Sequence, residues 1–334
     1  FCQATGLKGH AAVITDANVS LHYSEPVLQS LRQAGYVPTL HLVPPGENSK
    51  SMDQVAHLCR SLIEHHHDRK SFVVALGGGV IGDLAGFVAA IFYRGVPCVQ
   101  IPTTIVAQVD SSLGGKTGVN TPEGKNLIGA FHQPHLVLSD PETLATLPPR
   151  VYHEGFAEVI KHAAIRDAAM LQALEALDPA DQHPDPGLIA QNVDIKARIV
   201  EEDEKEISGT RALLNFGHTI GHAIEASVPY GEMLHGEAIA LGMRAALYLS
   251  EKLTGLSPSD SERLLELLTK FRLPLTLDHG VTNESILTLM MRDKKFVQGQ
   301  RRFVLLERNG HAVLNDGVTD KLLTEALAHL RSEA

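Results

Sequence analysis

Residues 72–83 read Phe72-Val73-Val74-Ala75-Leu76-Gly77-Gly78-Gly79-Val80-Ile81-Gly82-Asp83, an apolar run that ends in a glycine-rich turn. A helical pattern follows from Leu84 to Tyr93. The glycines at 77, 79 and 82 fit the dinucleotide-binding spacing, in which backbone N–H groups and a helix N-terminus approach a pyrophosphate. The stretch therefore predicts a strand, a nucleotide-binding turn and a helix.

The glycine spacing is a weak indication when it is taken alone. The motif usually includes an acidic residue about 20 positions later that binds a ribose hydroxyl. Nothing acidic follows Asp83 until Asp110. A tight turn that packs a helix on a strand needs the same glycines, so a turn without a ligand is the alternative.

The same alternation extends through the first half of the chain. Short apolar runs occur at 11–15, 39–43 and 99–101, and helical patterns separate them, as in βαβ units on a parallel sheet. Beyond residue 150 helical periodicity dominates, at 155–168, 188–202, 211–226, 236–253, 257–271 and 320–332. A hairpin turned by Asn309-Gly310 is predicted between 302–306 and 311–314. The sequence predicts a Rossmann-like α/β domain with a parallel sheet over 1–150 and a mainly α-helical domain over 151–334.

The composition limits the kind of partner. The chain has 334 residues, 44% of them hydrophobic, and a formal net charge of -10. An acidic chain is a poor ligand for nucleic acid, so an anionic ligand requires positive charge concentrated at one place. No apolar run reaches the roughly 20 residues of a membrane span. The three cysteines, Cys2, Cys59 and Cys98, suit neither a disulfide framework nor a zinc knuckle, which predicts a cytoplasmic protein.

A second glycine-rich stretch carries two lysines. Lys116 lies in Gly114-Gly115-Lys116-Thr117-Gly118 and Lys125 in Gly124-Lys125-Asn126. Glycines expose backbone donors and lysine adds a compact positive charge, so these loops predict an anion site. The spacing is not that of a P-loop, and a solvated polar loop is the alternative.

The pattern with the most weight lies in the second half. Arg211, Asn215, His218 and His222 follow one another at intervals of four, three and four, and would share one face of a helix over 211–226. The other faces are apolar, so such a helix should be buried, with its polar stripe facing a ligand, a metal or buried water. A satisfied polar network in the core is the alternative.

Histidines at i and i+4 are a familiar metal-binding pair on a helix. The spacing does not decide whether His218 and His222 both bind metal. His235 and Glu158 are further candidate ligands. Two or three histidines with one carboxylate suit Zn²⁺ or Co²⁺ and leave a position open for substrate.

Two charged runs are given no function. His65-His66-His67 is interpreted as a solvated helix end. The acidic run Glu201-Glu202-Asp203-Glu204-Lys205-Glu206 is interpreted as charged surface or a mobile loop.

Six motifs, in order along the chain, resemble the 3-dehydroquinate synthase family. They are Gly-Gly-Gly-Val-Ile-Gly-Asp (77–83), Gly-Gly-Lys-Thr-Gly-Val-Asn (114–120), Gly-Lys-Asn-Leu-Ile-Gly (124–129), Ala-Glu-Val-Ile-Lys (157–161), Leu-Asn-Phe-Gly-His-Thr-Ile-Gly-His-Ala (214–223) and His-Gly-Glu-Ala (235–238). The likeness runs from about Asp16 to beyond Lys295. It implies two domains with the active site in the cleft between them, NAD, one Zn²⁺ or Co²⁺ ion, and a homodimer.

The resemblance also assigns roles to residues. The implied metal ligands are Glu158, His218 and His235. His222 is then free to act on the substrate, together with Lys161, Lys196, Arg211 and Asn215. Further substrate contacts are Asp110, Lys116, Asn126 and one of Lys294 or Lys295, and Arg94 is lent to the neighbouring subunit's site. The implied NAD contacts are Asp16, Asn18, Glu47, Lys50, Gly79, Val80, Ile81, Gly82, Asp83, Thr103, Thr104, Lys116, Lys125, Thr143, Leu144, Ala145 and Thr146.

The implied substrate, 3-deoxy-D-arabino-heptulosonate 7-phosphate, carries a carboxylate and a phosphate. The resemblance implies transient oxidation at C5 by NAD, β-elimination of phosphate, re-reduction, ring opening and an intramolecular aldol closure to 3-dehydroquinate, in the shikimate pathway. One departure concerns residues 203–211, a stretch that is one residue longer than the family's usual pattern. Glu206 is therefore left out of the site.

Three alternatives stay open. Another sugar-phosphate cyclase, making a valiolone or an inosose, would share the metal site but alter the contacts to phosphate and carboxylate. The run Gly114-Gly115-Lys116-Thr117, Lys196 and Asp293-Lys294-Lys295 argue against it. A metal-dependent polyol dehydrogenase would release NADH. A non-enzymatic NAD-sensing or scaffold module is disfavoured by the intact candidate metal ligands.

Overall fold

The computed structural model describes residues 1–229, 231–277, 280–292 and 302–332. The chain divides into two compact units, Phe1–Leu147 and Pro148–Ala334. None of the helices in the described ranges is long and apolar enough to cross a membrane.

The first unit is an α/β structure. Its strands are β1 (His10–Asp16), β2 (Val37–Val43), β3 (Phe72–Gly77), β4 (Cys98–Pro102), β5 (Lys116–Thr121), β6 (Gly124–Phe131) and β7 (Leu136–Val137), and its helices are α1 (Ala17–Gln33), α2 (Met52–Glu64) and α3 (Gly79–Ile91). Five strands form a parallel sheet in the order β2-β1-β3-β4-β7. The four predicted strands are β1 to β4, so the predicted parallel α/β fold is confirmed.

Alternate residues of the central strands enter two separate cores. On β3, Val73 and Ala75 pack with side chains of α2 and α3. Phe72, Val74 and Leu76 pack with side chains of α1 in the other core. A strand buried on both faces reads as a continuous apolar run, which is why β3 stands out in the sequence.

The second glycine-rich stretch is a hairpin and not a loop. β5 and β6 pair antiparallel, with a register shift between Val119 and Thr121. The expectation of extended polar loops was wrong there, because the ribbon lacks the alternation of apolar residues that marks a strand. Close approach replaces side-chain packing: a Cβ atom on Gly129 would lie 2.1 Å from the carbonyl oxygen of Thr117.

The second unit is mainly helical. Its helices are α4 (Pro149–Arg166), α5 (Ala168–Ala176), α6 (Pro186–Glu202), α7 (His218–Glu225), α8 (His235–Leu253), α9 (Pro258–Lys270), α10 (Asn283–Arg292) and α11 (Asp320–His329). The predicted hairpin is present as β8 (Phe303–Arg308) and β9 (His311–Asn315), which pair antiparallel. Side chains of α7, α8, α10 and α11 share one core with β8.

The single helix predicted over 211–226 was wrong. Residues Arg211–Asn215 form a 3-10 helix, the chain turns at Gly217, and α7 begins at His218. Gly217 has a φ of 77°, and a Cβ atom there would lie 2.8 Å from the backbone nitrogen of Met243 in α8. The close approach of Gly217 to α8 therefore interrupts the helix. Sequence periodicity cannot predict this break, because the contact joins two distant segments.

The interpretation of His65-His66-His67 as a solvated helix end was wrong for His67. His65 and His66 are exposed, but His67 is buried. His67 Nε2 and His41 Nε2 each lie 2.7 Å from Thr39 Oγ1, and His41 Nδ1 lies 3.0 Å from Ser61 Oγ. The threonine hydroxyl thus joins two imidazoles at the edge strand β2.

The acidic run 201–206 lies at the surface as predicted, with the exception of Asp203. Asp203 is buried and its carboxylate accepts the backbone N–H groups of Ile207, Ser208, Gly209 and Arg211. Burial opposes ionisation of this carboxyl, but these hydrogen bonds outweigh it and lower the pKa of Asp203 to about 2. Asp203 organises the loop that leads to Arg211.

Candidate active site

Three side chains from three helices meet in the second unit. Glu158 lies within α4, and His218 and His235 are the first residues of α7 and α8. Glu158 Oε1 is 3.3 Å from His218 Nε2 and 3.4 Å from His235 Nε2. The structure thus brings together the three residues that the sequence nominated as metal ligands.

Each of the two imidazoles has a hydrogen-bond acceptor next to its Nδ1 atom. His218 Nδ1 lies 3.1 Å from the carbonyl oxygen of Phe216, and His235 Nδ1 lies 3.2 Å from Glu225 Oε2. Both partners are acceptors, so each Nδ1 carries a proton, and a neutral ring in that tautomer has its lone pair at Nε2. Both Nε2 atoms lie on the side of Glu158.

Two of the three separations among these ligand atoms are known, and both suit a tetrahedral site. Ligand atoms at about 2.0–2.1 Å from a common ion are about 3.3–3.4 Å apart in tetrahedral geometry. The Glu158 oxygen lies 3.3 and 3.4 Å from the two imidazole nitrogens. One carboxylate oxygen and two imidazole nitrogens form a donor set that zinc or cobalt accepts, so the residues present fit such an ion.

Glu158 is fully buried beside Lys161, one helical turn further along α4. Burial opposes ionisation of its carboxyl, but the Lys161 ammonium and His218 outweigh burial and hold the pKa of Glu158 well below its usual range. The carboxylate is therefore charged, as a metal ligand must be.

The pKa values of the two imidazoles shift in opposite directions because their surroundings differ. Burial and the nearby Lys161 lower the pKa of His218. Burial also disfavours the charged form of His235, but its contacts with Glu158 and Glu225 outweigh burial and raise the pKa of His235 to about 10. Only His235 has a second carboxylate, which accounts for the opposite directions.

His222 lies one turn after His218 on α7. Its ring centroid is 5.0 Å from that of His218 and 5.7 Å from that of His235. Ring nitrogens of the three histidines lie within 4.8 Å of one another, so distance alone admits His222 as a further donor. Exposure distinguishes Glu158 from His222 as a candidate metal ligand, since Glu158 is buried and His222 is exposed.

The position of His235 depends on the contact between α4 and α8. Gly236 donates its backbone N–H to Glu154 Oε2 at 2.6 Å, and Glu154 lies one turn before Glu158. Burial raises the pKa of Glu154 to about 7. This contact sets the first residue of α8 against the Glu158 turn of α4, and no sequence pattern indicated Glu154.

The predicted substrate-binding side chains of the second unit precede α7. Lys196 is buried in α6, and Arg211 is buried at the start of the 3-10 helix that Asn215 ends. Arg211 Nε lies 3.9 Å from Glu206 Oε1, and Asn215 Nδ2 donates to the carbonyl oxygen of Ala212 at 3.1 Å. Glu206, left out at the sequence level, is thus a neighbour of Arg211.

In the first unit, β3 ends at Gly77 and α3 begins at Gly79 without a side-chain cap. A Cβ atom on Gly78 would lie 3.0 Å from Thr104 Cγ2, and one on Gly79 would lie 3.1 Å from Ser111 Oγ. Side chains would therefore crowd this turn, whereas glycine leaves the N–H groups of the first helical turn uncovered. Such a turn is suited to an anionic group.

Lys50 ties several predicted cofactor residues together. Its Nζ lies 2.7 Å from Asp83 Oδ2 and 2.6 Å from Asn126 Oδ1, and 3.6 Å from Glu47 Oε1. Burial opposes the charged form, but Asp83 and Glu47 outweigh it and raise the pKa of Lys50. Asn120, which sequence reasoning missed, donates to Glu47 Oε1 at 2.8 Å and accepts the backbone N–H of Asn126.

Other predicted cofactor residues lie at the ends of strands. Asp16 is the last residue of β1 and caps α1 by accepting the N–H groups of Asn18 and Val19. Thr103 follows β4, and its buried hydroxyl has no hydrogen-bond partner among the described residues. The 3-10 helix Pro141–Thr146, which contains the predicted residues Thr143, Leu144, Ala145 and Thr146, is held by the Tyr23 hydroxyl at 2.7 Å from Thr146 Oγ1.

Both halves of the chain match one family. Residues 40–154 match the family profile described as 3-dehydroquinate synthase N-terminal, and residues 155–296 match the profile described as 3-dehydroquinate synthase C-terminal. The chain belongs to the 3-dehydroquinate synthase family. A 3-dehydroquinate synthase from Pelobacter propionicus is 46% identical over 330 residues, which cover 97% of this chain and 90% of the relative.

Solved structures of other sugar-phosphate cyclases share the family fold. A 2-epi-5-epi-valiolone synthase from Streptomyces hygroscopicus subsp. jinggangensis 5008, solved with NAD⁺ and Zn²⁺, has a TM-score of 0.91 and 28% identity, covering 99% of this chain and 93% of its own. A 2-deoxy-scyllo-inosose synthase complexed with carbaglucose-6-phosphate, NAD⁺ and Co²⁺ has a TM-score of 0.85 and 26% identity, covering 96% and 90%.

The remaining residues nominated by the family resemblance lie elsewhere. Asp110 is in the π-helical turn Ala107–Ser111, and Lys116 and Lys125 are on the β5–β6 hairpin. Arg94 is exposed after α3. Lys294 and Lys295 lie outside the described residues.

Proposed function

We propose that this family member is a 3-dehydroquinate synthase, a carbon–oxygen lyase of the shikimate pathway that converts 3-deoxy-D-arabino-heptulosonate 7-phosphate to 3-dehydroquinate and phosphate. The observation that carries the proposal is the meeting of Glu158 with two imidazole nitrogens at 3.3 and 3.4 Å. It occurs in a chain whose two halves match the two parts of this family.

We propose NAD and one divalent ion, Zn²⁺ or Co²⁺, as cofactors. The solved cyclases that contain NAD⁺ with Zn²⁺ or Co²⁺ support this choice. When bound, NAD exchanges a hydride with the substrate and the ion polarises a substrate oxygen as a Lewis acid. The first unit would bind NAD at the glycine turn of α3, and the second would hold the ion through Glu158, His218 and His235.

His222 is proposed to carry a proton at the substrate. It lies on the same face of α7 as His218, but its ring is exposed, whereas a buried carboxylate already faces the other two histidines. An imidazole is the side chain best suited to take up and release a proton near neutral pH. His222 is therefore assigned to the substrate.

The cationic side chains of the second unit are proposed to bind the anionic substrate. Lys161, Lys196 and Arg211 are basic side chains buried within the second unit of an acidic chain. A substrate carboxylate and phosphate supply two anionic groups of complementary charge. From the first unit Asp110, Lys116 and Asn126 would add contacts, and Lys50 would hold Asp83 beside the glycine turn.

We also propose a homodimer in which Arg94 reaches the neighbouring subunit's site. Tyr93, Arg94 and Gly95 have φ values of 47°, 69° and 121°. Left-handed backbone at a residue with a side chain costs about 1–2 kcal/mol and persists where it serves a function. The strained backbone supports a functional role for the exposed Arg94.

The proposed compartment is the cytoplasm. Cys2, Cys59 and Cys98 are free thiols, and burial raises the pKa of Cys98 to about 12, so this thiol stays protonated. Free thiols persist in a reducing compartment.

The test is a direct assay with metal-loaded protein and NAD. Incubation with the heptulosonate phosphate should release phosphate and form dehydroquinate without accumulating absorbance at 340 nm. Glucose 6-phosphate, which lacks the carboxylate, should release none. Phosphate from glucose 6-phosphate alone would favour another cyclase, and accumulating NADH would favour a polyol dehydrogenase.

A further inference from the structure

We infer that Glu225 is a positioning residue of the proposed metal centre, holding the His235 imidazole so that its Nε2 lone pair faces the ion. The inference rests on the proposed function, because it presupposes that His235 binds a metal. Glu225 belongs to no motif used above, and nothing in its spacing in the sequence connects it with His235.

The His235 ring lies between two carboxylates. Nδ1 is 3.2 Å from Glu225 Oε2, and Nε2 is 3.4 Å from Glu158 Oε1. A carboxylate at Nδ1 requires the proton there, so the neutral ring must present its lone pair at Nε2. Glu225 thus selects the tautomer that can bind a metal.

The two candidate histidine ligands are supported differently. The His218 ring is held by a backbone carbonyl, that of Phe216, at 3.1 Å. The His235 side chain is 30% exposed, and its support is a carboxylate whose side chain is 11% exposed. A largely buried negative charge at Nδ1 raises the basicity of Nε2 more than a neutral carbonyl does, and it fixes a ring that is less enclosed than that of His218.

The place of Glu225 on α7 is consistent with this role. His218, His222 and Glu225 occupy positions i, i+4 and i+7 and share one face of the helix. Glu225 is the last residue of α7, where a negative charge opposes the helix dipole. Glu225 is therefore unfavourable for its own helix, and its contact with His235 offsets that cost.

Removal of this support should weaken metal binding without removing a ligand. Loss of a second partner of a metal-bound histidine typically costs 10- to 100-fold in affinity. We expect that loss for Glu225→Ala. Glu225→Gln keeps an acceptor oxygen but not the charge, so its affinity should lie between those of the wild type and Glu225→Ala.

The experiment is a Zn²⁺ titration of the metal-stripped full chain in competition with a chromophoric chelator, with Co²⁺ absorption spectra as a readout of ligand geometry. Asp167→Ala is the matched control, because it removes the N-cap carboxylate of α5, nine residues after Glu158, and is expected to lower stability without removing a proposed ligand or Glu225. Thermal unfolding of the metal-free proteins shows whether each variant folds, and the isosteric glutamine variant keeps the test available if the alanine variant does not.

The inference is supported if affinity falls in the order wild type, glutamine, alanine while the control keeps wild-type affinity. It is overturned if wild type binds Zn²⁺ tightly and the Glu225 variants bind within twofold of it or of the control; the proposed function would then stand. If wild type itself binds neither Zn²⁺ nor Co²⁺, the metal site and this inference fall together.

Discussion

Glu154 and Gly236 are in such close contact that a Cβ atom on Gly236 would lie 1.9 Å from the carbonyl oxygen of Glu154. No rearrangement of a flexible side chain relieves this overlap, because the obstructing atom belongs to the backbone of α4. The contact therefore sets the distance between the helix that carries Glu158 and the helix that begins with His235.

Gly236→Ala should push the start of α8 away from α4 and separate His235 from Glu158. We expect a stability loss of about 1–3 kcal/mol, typical of overpacking, and a larger loss of bound Zn²⁺ and of turnover. Metal analysis after dialysis, alongside thermal unfolding, measures both. Gly280→Ala is the control, since a Cβ atom there meets no atom of the described residues within 4 Å. An alanine variant at 236 that retained stoichiometric metal would show that this contact does not position the ligand.

The metal ligands and the proposed proton carrier should separate in mutants. His218→Ala and His235→Ala should lose metal and activity while the apolar helix faces still fold, whereas His222→Ala should lose turnover and keep its metal. Metal content and single-turnover rates of the three variants decide the matter. Equal metal loss in His222→Ala and His218→Ala would mean that the i, i+4 pair of α7 binds the ion together.

Arg94 allows a test of the proposed dimer. Arg94→Ala should cost on the order of 2–5 kcal/mol in substrate binding or turnover, as for one partner of a hydrogen-bonded charge pair, and Arg94→Lys should restore part of it. Subunit exchange between Arg94→Ala and His235→Ala proteins should recover activity, because one site of each mixed dimer would then be intact. Mixtures as inactive as both parents would place Arg94 in its own subunit's site or in none.

The His41–Thr39–His67 contact predicts acid sensitivity. Burial, with repulsion among neighbouring histidines, lowers the pKa of His41 and of His67 to about 4. An unfolded histidine takes up its proton near pH 6.5, so between pH 6.5 and 4 the unfolded chain binds more protons. Stability should therefore fall as pH falls through this range, by up to about 1.4 kcal/mol per pH unit for each histidine.

Urea unfolding between pH 7.5 and 4.5 measures this dependence. His67→Gln should flatten it by about one proton, and the exposed His22→Gln should leave it unchanged. A slope in His67→Gln equal to that of the wild type would show that His67 is not protonated selectively in the unfolded chain.

The sequence predicted those parts of the fold that depend on local patterns. β3 and the turn after it were recognisable because continuous burial and glycine spacing are written in consecutive residues. The β5–β6 hairpin was not, because backbone contact between glycines replaces the apolar alternation of a strand. The break before α7 was missed for a similar reason: Gly217 meets a residue 26 positions away, Met243.

The site shows the same limit. Helical spacing nominated His218 and His222, but the choice among Glu158, His222 and His235 came from family resemblance. Glu154, Asn120 and Glu225 were missed because their roles arise from contacts between distant segments. A carboxylate behind an imidazole has no fixed offset in sequence.

The alternating burial of β3 affects how the glycine-rich turn after this strand tolerates cavity-forming substitutions. Val73 and Ala75 are anchored in one core, and Phe72, Val74 and Leu76 in the other. A cavity in one core leaves the opposite set of side chains in place, so the glycines at the end of the strand keep a second, independent anchorage. A strand with one solvent-exposed face would lack the second anchorage. The same cavity would then leave the turn at its end without support.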